Sequence, residues 1–409
     1  MTEAVDSYST AHTDPLDPSD SGLYVRGDHW AIFEELRAKD PVHFTPESPF
    51  GPYWSVTRFQ DIKHVDTHHE AFSSEPVIVI GDPPPEEILP QFIAMDPPRH
   101  DEQRKGVSVA VSPRNLAKLE PLIRGRVAAI LDSLPVGEAF DWVDTVSIEL
   151  TTQMLATLFD FPFEDRRMLT HWSDAATSSP GLVGATNMTD EQRMAELMGC
   201  LEYFNALWKE REGGDEDDFI SLMARSPAFK DMPPMEYLGN LILLIVGGND
   251  TTRNSISGGV YALNRFPDQF DKLRADPTVI PNMVAEIIRW QTPLSHMRRV
   301  ATTDAEVGGK TIRAGDKVVM WYISGNRDES VFDEADRLII DRANARQHIS
   351  FGYGIHRCMG NRLGEMQLRI LWEEILNRFR HVEVLEEPGR IHSNFVHGYS
   401  RMPVMLHPK

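Results

Sequence analysis

The stretch "PPMEYLGNLILLIVGGNDTTRNSISGGVYALNRFP" constrains the fold more than any other. Prolines bracket it, Pro233 and Pro234 before and Pro267 after. Proline is tolerated in a first helical turn but cannot continue a helix, because it has no N–H and its ring clashes with the preceding turn. The spacing between these prolines predicts one helix of about 30 residues, roughly 45 Å long. A rod of that length crosses a whole domain, so the remaining chain must pack around it. Its strongest apolar run, Leu241 to Val246, is far too short to span a bilayer.

The other segments read as shorter pieces. "PVHF" and "YWSVTRF" carry strand signals, with a short helix near "QDIKHV". "RNLAKLEPLIRGRVAAILDSL", "DTVSIELTTQMLATLFDF" and "TVIPNMVAEIIRWQTP" place apolar residues at helical spacing. "AEVGGKTIRAGDKVVMWYIS" predicts a hairpin turning at Gly308-Gly309. "KEREGGDEDD" reads as a solvated acidic turn. No repeat, low-complexity tract or Pro/Gly/Ser linker divides the chain. The expectation is a mainly α protein with small β-sheets: a loose segment over 1–25, then a single domain over 26–409.

Of 409 residues, 41 are basic and 62 acidic, a net charge of -21, which argues against nucleic acid and against an anionic membrane surface. The polar, acidic N-terminus has neither the basic nor the apolar region of a signal peptide. Only two cysteines occur, Cys200 and Cys358, too few for a disulfide framework, so a reducing cytoplasm is expected.

Cys358 lies in a glycine-studded loop, "HISFGYGIHRCMGN", directly before a helical pattern (Leu363, Met366, Ile370, Leu371, Ile375). Unpaired N–H groups at a helix start carry partial positive charge and favour a thiolate. Gly352, Gly354 and Gly360 suit a backbone that turns closely about the sulfur. A buried structural thiol, a nucleophile and a metal ligand are all open on these grounds. In the long helix, Gly247 and Gly248 each cost about 1 kcal/mol relative to alanine. Leu243, Gly247, Asp250 and Thr251 are read as sharing one face.

The ten-residue pattern F-G-x-G-x-H-x-C-x-G over Phe351–Gly360 resembles the haem-binding loop of the cytochrome P450 family. "GGNDTT" resembles its distal-helix segment, and "EIIR", followed by Arg342, its E-x-x-R cluster. The likeness runs from about Trp30 to the C-terminus. It implies a triangular haem-thiolate fold, haem b ligated by Cys358, and O2 as co-substrate. Asp250 and Thr251 become the catalytic residues: Thr251 to hydrogen-bond dioxygen, Asp250 to relay protons. His100, Arg104, Arg299 and His356 become partners of the haem propionates, and His348 is read as structural. Glu286, Arg289 and Arg342 become a buried charge cluster bracing the proximal side.

"GGNDTTRN", "IIRWQTPLSHMRR", "WYISGNRD" and "NRLGEMQLRILWEEIL" further resemble the bacterial subgroup that hydroxylates alkanes and fatty acids at the chain end. The implied reaction inserts one oxygen atom of O2 into an unactivated C–H bond of a medium-chain alkane or fatty acid. A terpenoid or other cyclic hydrocarbon is the alternative, and a haem gas or redox sensor a remote one. Leu243, Val246, Gly247 and Met297 are candidates for the substrate channel. The stretches "EPVIVIGDPPPEEILPQF" and "SSPGLVGATNMTD" are candidates for substrate selection. With no flavin or iron–sulfur motif, the chain, read as a monomer, needs a separate ferredoxin and NAD(P)H-dependent reductase. Arg357, Arg362 and Lys105 are the expected docking cations.

Overall fold

The computed structural model describes residues 14–177 and 188–409. The bracketed run is an unbroken helix, Pro234–Arg265, buried along most of its length. Around it pack the helices Glu149–Leu158, Arg167–Ala176, Asp190–Arg211, Ile280–Gln291 and Asn361–Arg378. These helices, with Pro113–Asp132, build the main apolar core. No described helix is long and apolar enough to cross a membrane.

The strands form small sheets beside this helical body. A five-stranded sheet runs in the order Val42–Thr45, Tyr53–Val56, Lys317–Met320, Met297–Ala301, Phe72–Ser73. Its pairs are antiparallel except Tyr53–Val56 with Lys317–Met320. The hairpin Ala305–Val307/Lys310–Ile312 turns at Gly308 and Gly309, both at positive φ as a tight two-residue turn requires. A three-stranded sheet joins Ala139–Asp141, Pro403–Pro408 and Phe379–Val384.

Two expectations need correction. The chain is packed from Asp14 onward, well before residue 25: Asp17 is buried and accepts a 2.5 Å hydrogen bond from Tyr53 Oη. Asp20 then caps the helix Ser21–Arg26 through Gly22 N. The acidic stretch is only partly a solvated turn. Asp217 pairs with Lys118 and Arg225, and buried Asp218 caps the helix Phe219–Arg225. Most of the candidate selection stretch "SSPGLVGATNMTD" lies outside the described residues.

Candidate active site

The cysteine loop is shaped by what it touches. Gly352 and Gly354 have φ of 66° and 65°. A Cβ on Gly354 would come within 2.5 Å of the Asp66 carbonyl oxygen, so only glycine fits there. Gly360 has φ -87°, a conformation open to any residue, so its expected backbone role is absent. Cys358 N donates to Phe351 O at 2.8 Å, which closes the loop, and the helix Asn361–Arg378 begins just beyond. Burial pushes the thiol up, while the Gly360 and Asn361 amides and the Arg104 and Arg357 cations draw it down. The side chain is accessible to solvent.

The long helix presents an open strip toward its middle. Gly247 is exposed and Leu243, Val246 and Thr251 are half-buried, while Leu244, Ile245, Asn249, Asp250 and Thr252 are buried. The spacing i, i+3, i+4, i+8 is one helix face. A Cβ on Gly247 would meet nothing within 4 Å, whereas one on Gly248 would strike Leu155 Cδ2 at 2.6 Å. Thr251 Oγ1 donates to Gly247 O at 2.9 Å. On the helix after Cys358, Gly364 lies against Thr252, so that helix packs on the long helix one residue past Thr251.

Asp250 differs from the residues of the strip in burial rather than in helical angle. It is buried, and Oδ1 lies 2.8 Å from the Arg253 guanidinium and accepts from Asn249 and Ser173. Its Oδ2 has no partner. Burial raises the carboxyl to about 6 despite Arg253. By helical angle Asp250 falls within the arc of the strip; what buries it is the helix Arg167–Ala176, which packs at that level and brings Ser173 to it, and Arg253, one turn on, holds it there.

The expected cationic residues converge on the loop. The His100 and His356 rings are 4.3 Å apart. His100 Nδ1 bonds Asp101 at 2.7 Å, but His100 Nε2 and both His356 nitrogens are buried without partners. Burial, with Arg299, His100 and Arg104 nearby, drives His356 down to about 2. Arg104 Nη2 donates to the Arg357 carbonyl at 2.5 Å. Arg299 is already committed, with Nη2 on Asp66 Oδ1 and Nη1 on Arg298 O, both at 2.8 Å. Asp66, unforeseen in the sequence, is a hub that also accepts from Tyr322 Oη and Tyr353 N. His69 adds a further charge near His356. An orphaned buried polar atom costs roughly 1–3 kcal/mol. Three such nitrogens beside Arg104 and an open thiol fit a large dianionic group with a metal for the sulfur: a haem, its propionates toward His100, His356 and Arg104.

Elsewhere, Glu286, Arg289 and Arg342 meet in the core. Glu286 carboxylate oxygens accept from Arg289 at 2.8 Å and from Arg342 at 3.0 and 3.1 Å. Arg289 also donates to the carbonyls of Asn326, Ala335 and Arg337. His348 is buried against Phe351 and accepts from Ser350 N. Met297 is half-buried on its strand, with Leu294, Ile78 and Val79 around Ile391, Phe395 and Val396.

Comparison with known proteins identifies this arrangement. The family model described as Cytochrome P450 matches residues 276–400. Linalool 8-monooxygenase of Pseudomonas putida is 36% identical over 95% of this chain and 98% of its own. Methyl-branched lipid omega-hydroxylase of Mycobacterium tuberculosis is 34% identical over 92% of each. The solved structure of cytochrome P450-153 from Novosphingobium aromaticivorans superposes with a TM-score of 0.91 at 50% identity, covering 96% of this chain and 100% of that one. The chain belongs to the cytochrome P450 family, and it is a haem-thiolate monooxygenase.

Proposed function

We propose that this monooxygenase hydroxylates the chain end of a medium-chain alkane or fatty acid. The observation that carries the reading is the partly exposed strip Leu243–Val246–Gly247–Thr251, together with a small apolar cluster separate from the main core. That cluster groups Ile391, Phe395 and Val396 with half-buried Ile78, Val79, Leu294 and Met297. It draws on the stretch 75–92 expected to select substrate. Apolar walls suit a hydrocarbon chain, because a chain-end C–H bond is reached by shape alone. The relative named as a lipid omega-hydroxylase supports the same position of attack.

Bound haem supplies the activation of O2, and its chemistry belongs to the cofactor. The protein's part lies in the residues. Cys358 is held for ligation by the Gly360 and Asn361 amides. Thr251 carries a hydroxyl on the open strip and can pass a proton once it leaves Gly247 O. Asp250, titrating near 6, holds or releases a proton at neutral pH. Arg253 links it to Asp174. Electrons come from a separate ferredoxin and its NAD(P)H-dependent reductase, in the cytoplasm. Arg357, Arg362 and Lys105 are exposed near the cysteine loop and suit an acidic carrier. Arg362→Glu is expected to slow reduction and flatten its salt dependence.

The test is a visible-absorbance titration of ferric enzyme with linear alkanes, fatty acids and linalool. A shift to high spin with a length optimum among linear chains supports the proposal. A response to linalool alone overturns the substrate and favours the terpenoid reading, to which the linalool 8-monooxygenase relative points. Thr251→Ala is expected to divert reducing equivalents to peroxide, lowering product per NAD(P)H by roughly tenfold or more.

A further inference from the structure

The turn Ile391–His397 supplies three members of the apolar cluster, so whatever positions the turn positions that wall. On its inner side it is bonded to the stretch before Met297. Ser295 N donates to Phe395 O at 2.8 Å, His397 N to Pro293 O at 3.0 Å, and His296 Nδ1 lies 3.1 Å from Asn394 O. On its outer side the partners come from the other end of the chain. Asn394 Nδ2 donates to Ser19 O at 2.7 Å, and Ser21 Oγ bonds His392 Nε2 at 3.2 Å. The His397 ring stands edge-on to His29 and Trp30.

The N-terminal stretch is itself anchored at a distance from the turn. Asp14 meets His43 Nε2 at 2.7 Å on the edge strand Val42–Thr45. Asp17 accepts from Tyr53 on the neighbouring strand. Leu16 packs against the cluster of Tyr24, Phe33 and Trp321. A continuous set of contacts thus runs from the five-stranded sheet through Asp14–Ser21 to the turn.

We infer that residues 14–21 form a strap that positions the Ile391–His397 turn and so sets which carbon of the substrate is presented, with Asn394 as the positioning residue. The strap touches neither the sulfur nor the open helix strip; it acts through Phe395 and Val396. The inference about substrate presentation rests on the apolar channel proposed above.

The experiment compares wild type with Asn394→Leu, which removes the donor at similar volume. Haem-ligating probes separate the wall from the haem. 1-Dodecylimidazole runs along the channel and imidazole does not. Asn394→Leu is expected to weaken 1-dodecylimidazole by roughly fivefold, the scale of one lost buried hydrogen bond, with imidazole unchanged. The ratio of terminal to in-chain product from dodecanoate should fall with it. Hydrogen exchange at the 391–397 amides, which needs no ligand, should quicken in the variant. Equal weakening of both probes, or unchanged exchange, overturns the strap. Should Asn394→Leu fail to fold, Ser21→Ala is read the same way, with a smaller shift expected and an unchanged exchange rate decisive against it. A wild type that binds 1-dodecylimidazole no better than imidazole sinks the long-channel reading alone, and exchange still judges the strap.

Discussion

Two charge clusters flank the same loop, and they differ in completeness. Glu286, Arg289 and Arg342 satisfy one another and the surrounding carbonyls. His100 and His356, the first buried and the second half-buried, leave three buried ring nitrogens with nothing to bond. Removing one member of a complete buried ion cluster strands a charge, which is where such clusters are sensitive. An incomplete cluster instead waits for a ligand. The contrast separates groups that make the fold from groups that receive the cofactor, and it does so without reference to any motif.

The contrast can be broken or sharpened by substitution. Cys358→Ala should give the largest effect: loss of the absorbance of thiolate-ligated haem and of monooxygenase activity to background. Glu286→Gln should destabilise the fold by about 3–5 kcal/mol, measured by denaturant unfolding of haem-free protein. His356→Phe should weaken haem retention by roughly 10–100-fold while leaving haem-free stability unchanged or higher, since it removes orphaned nitrogens. If Glu286→Gln spared the haem-free fold, or His356→Phe unfolded it, completeness would not distinguish the two roles.

The smallest effect tests a third cluster, whose completeness depends on pH. His43 lies between Asp14 and Asp40, at 2.7 and 2.9 Å, and Lys310 reaches Asp40 at 3.0 Å. Although burial opposes it, the two carboxylates raise the imidazole above its usual range. A raised basic group stabilises fully below its unfolded value of about 6.5 and loses that contribution as pH climbs through the folded value. Thermal stability should therefore fall by about 1 kcal/mol or less across that window, and His43→Gln should remove the slope.

Much of this was readable in the sequence where the signal is local. The proline-bounded helix, the hairpin at Gly308-Gly309, the cysteine loop and the onset of its helix all follow from spacing and backbone chemistry. What escaped is long-range. Asp66 gathers Arg299, Tyr322 and Tyr353 from the far half of the chain, and no pattern around "KHVDTHH" marks it. Asp17 meets Tyr53 across two helices and a strand, which turned an expected loose end into packed chain. Asp250 lies within the expected arc of its helix, yet a neighbouring helix covers it there and Arg253 pairs with it, which no local pattern announces. Gly360 belongs to the motif, yet its backbone conformation would accept other residues.

Gly247 and Gly248 are adjacent and identical, and a single codon change at either would be judged by different arbiters. An alanine at 248 collides with Leu155, so the chain pays at birth, in yield and survival against proteolysis. An alanine at 247 projects into free space and meets no neighbour in the folded chain. Its methyl group would be noticed only when a guest arrives. Variation at one position is therefore filtered by assembly and at the other by turnover, which makes 247 the place where a new preference could arise without first endangering the protein.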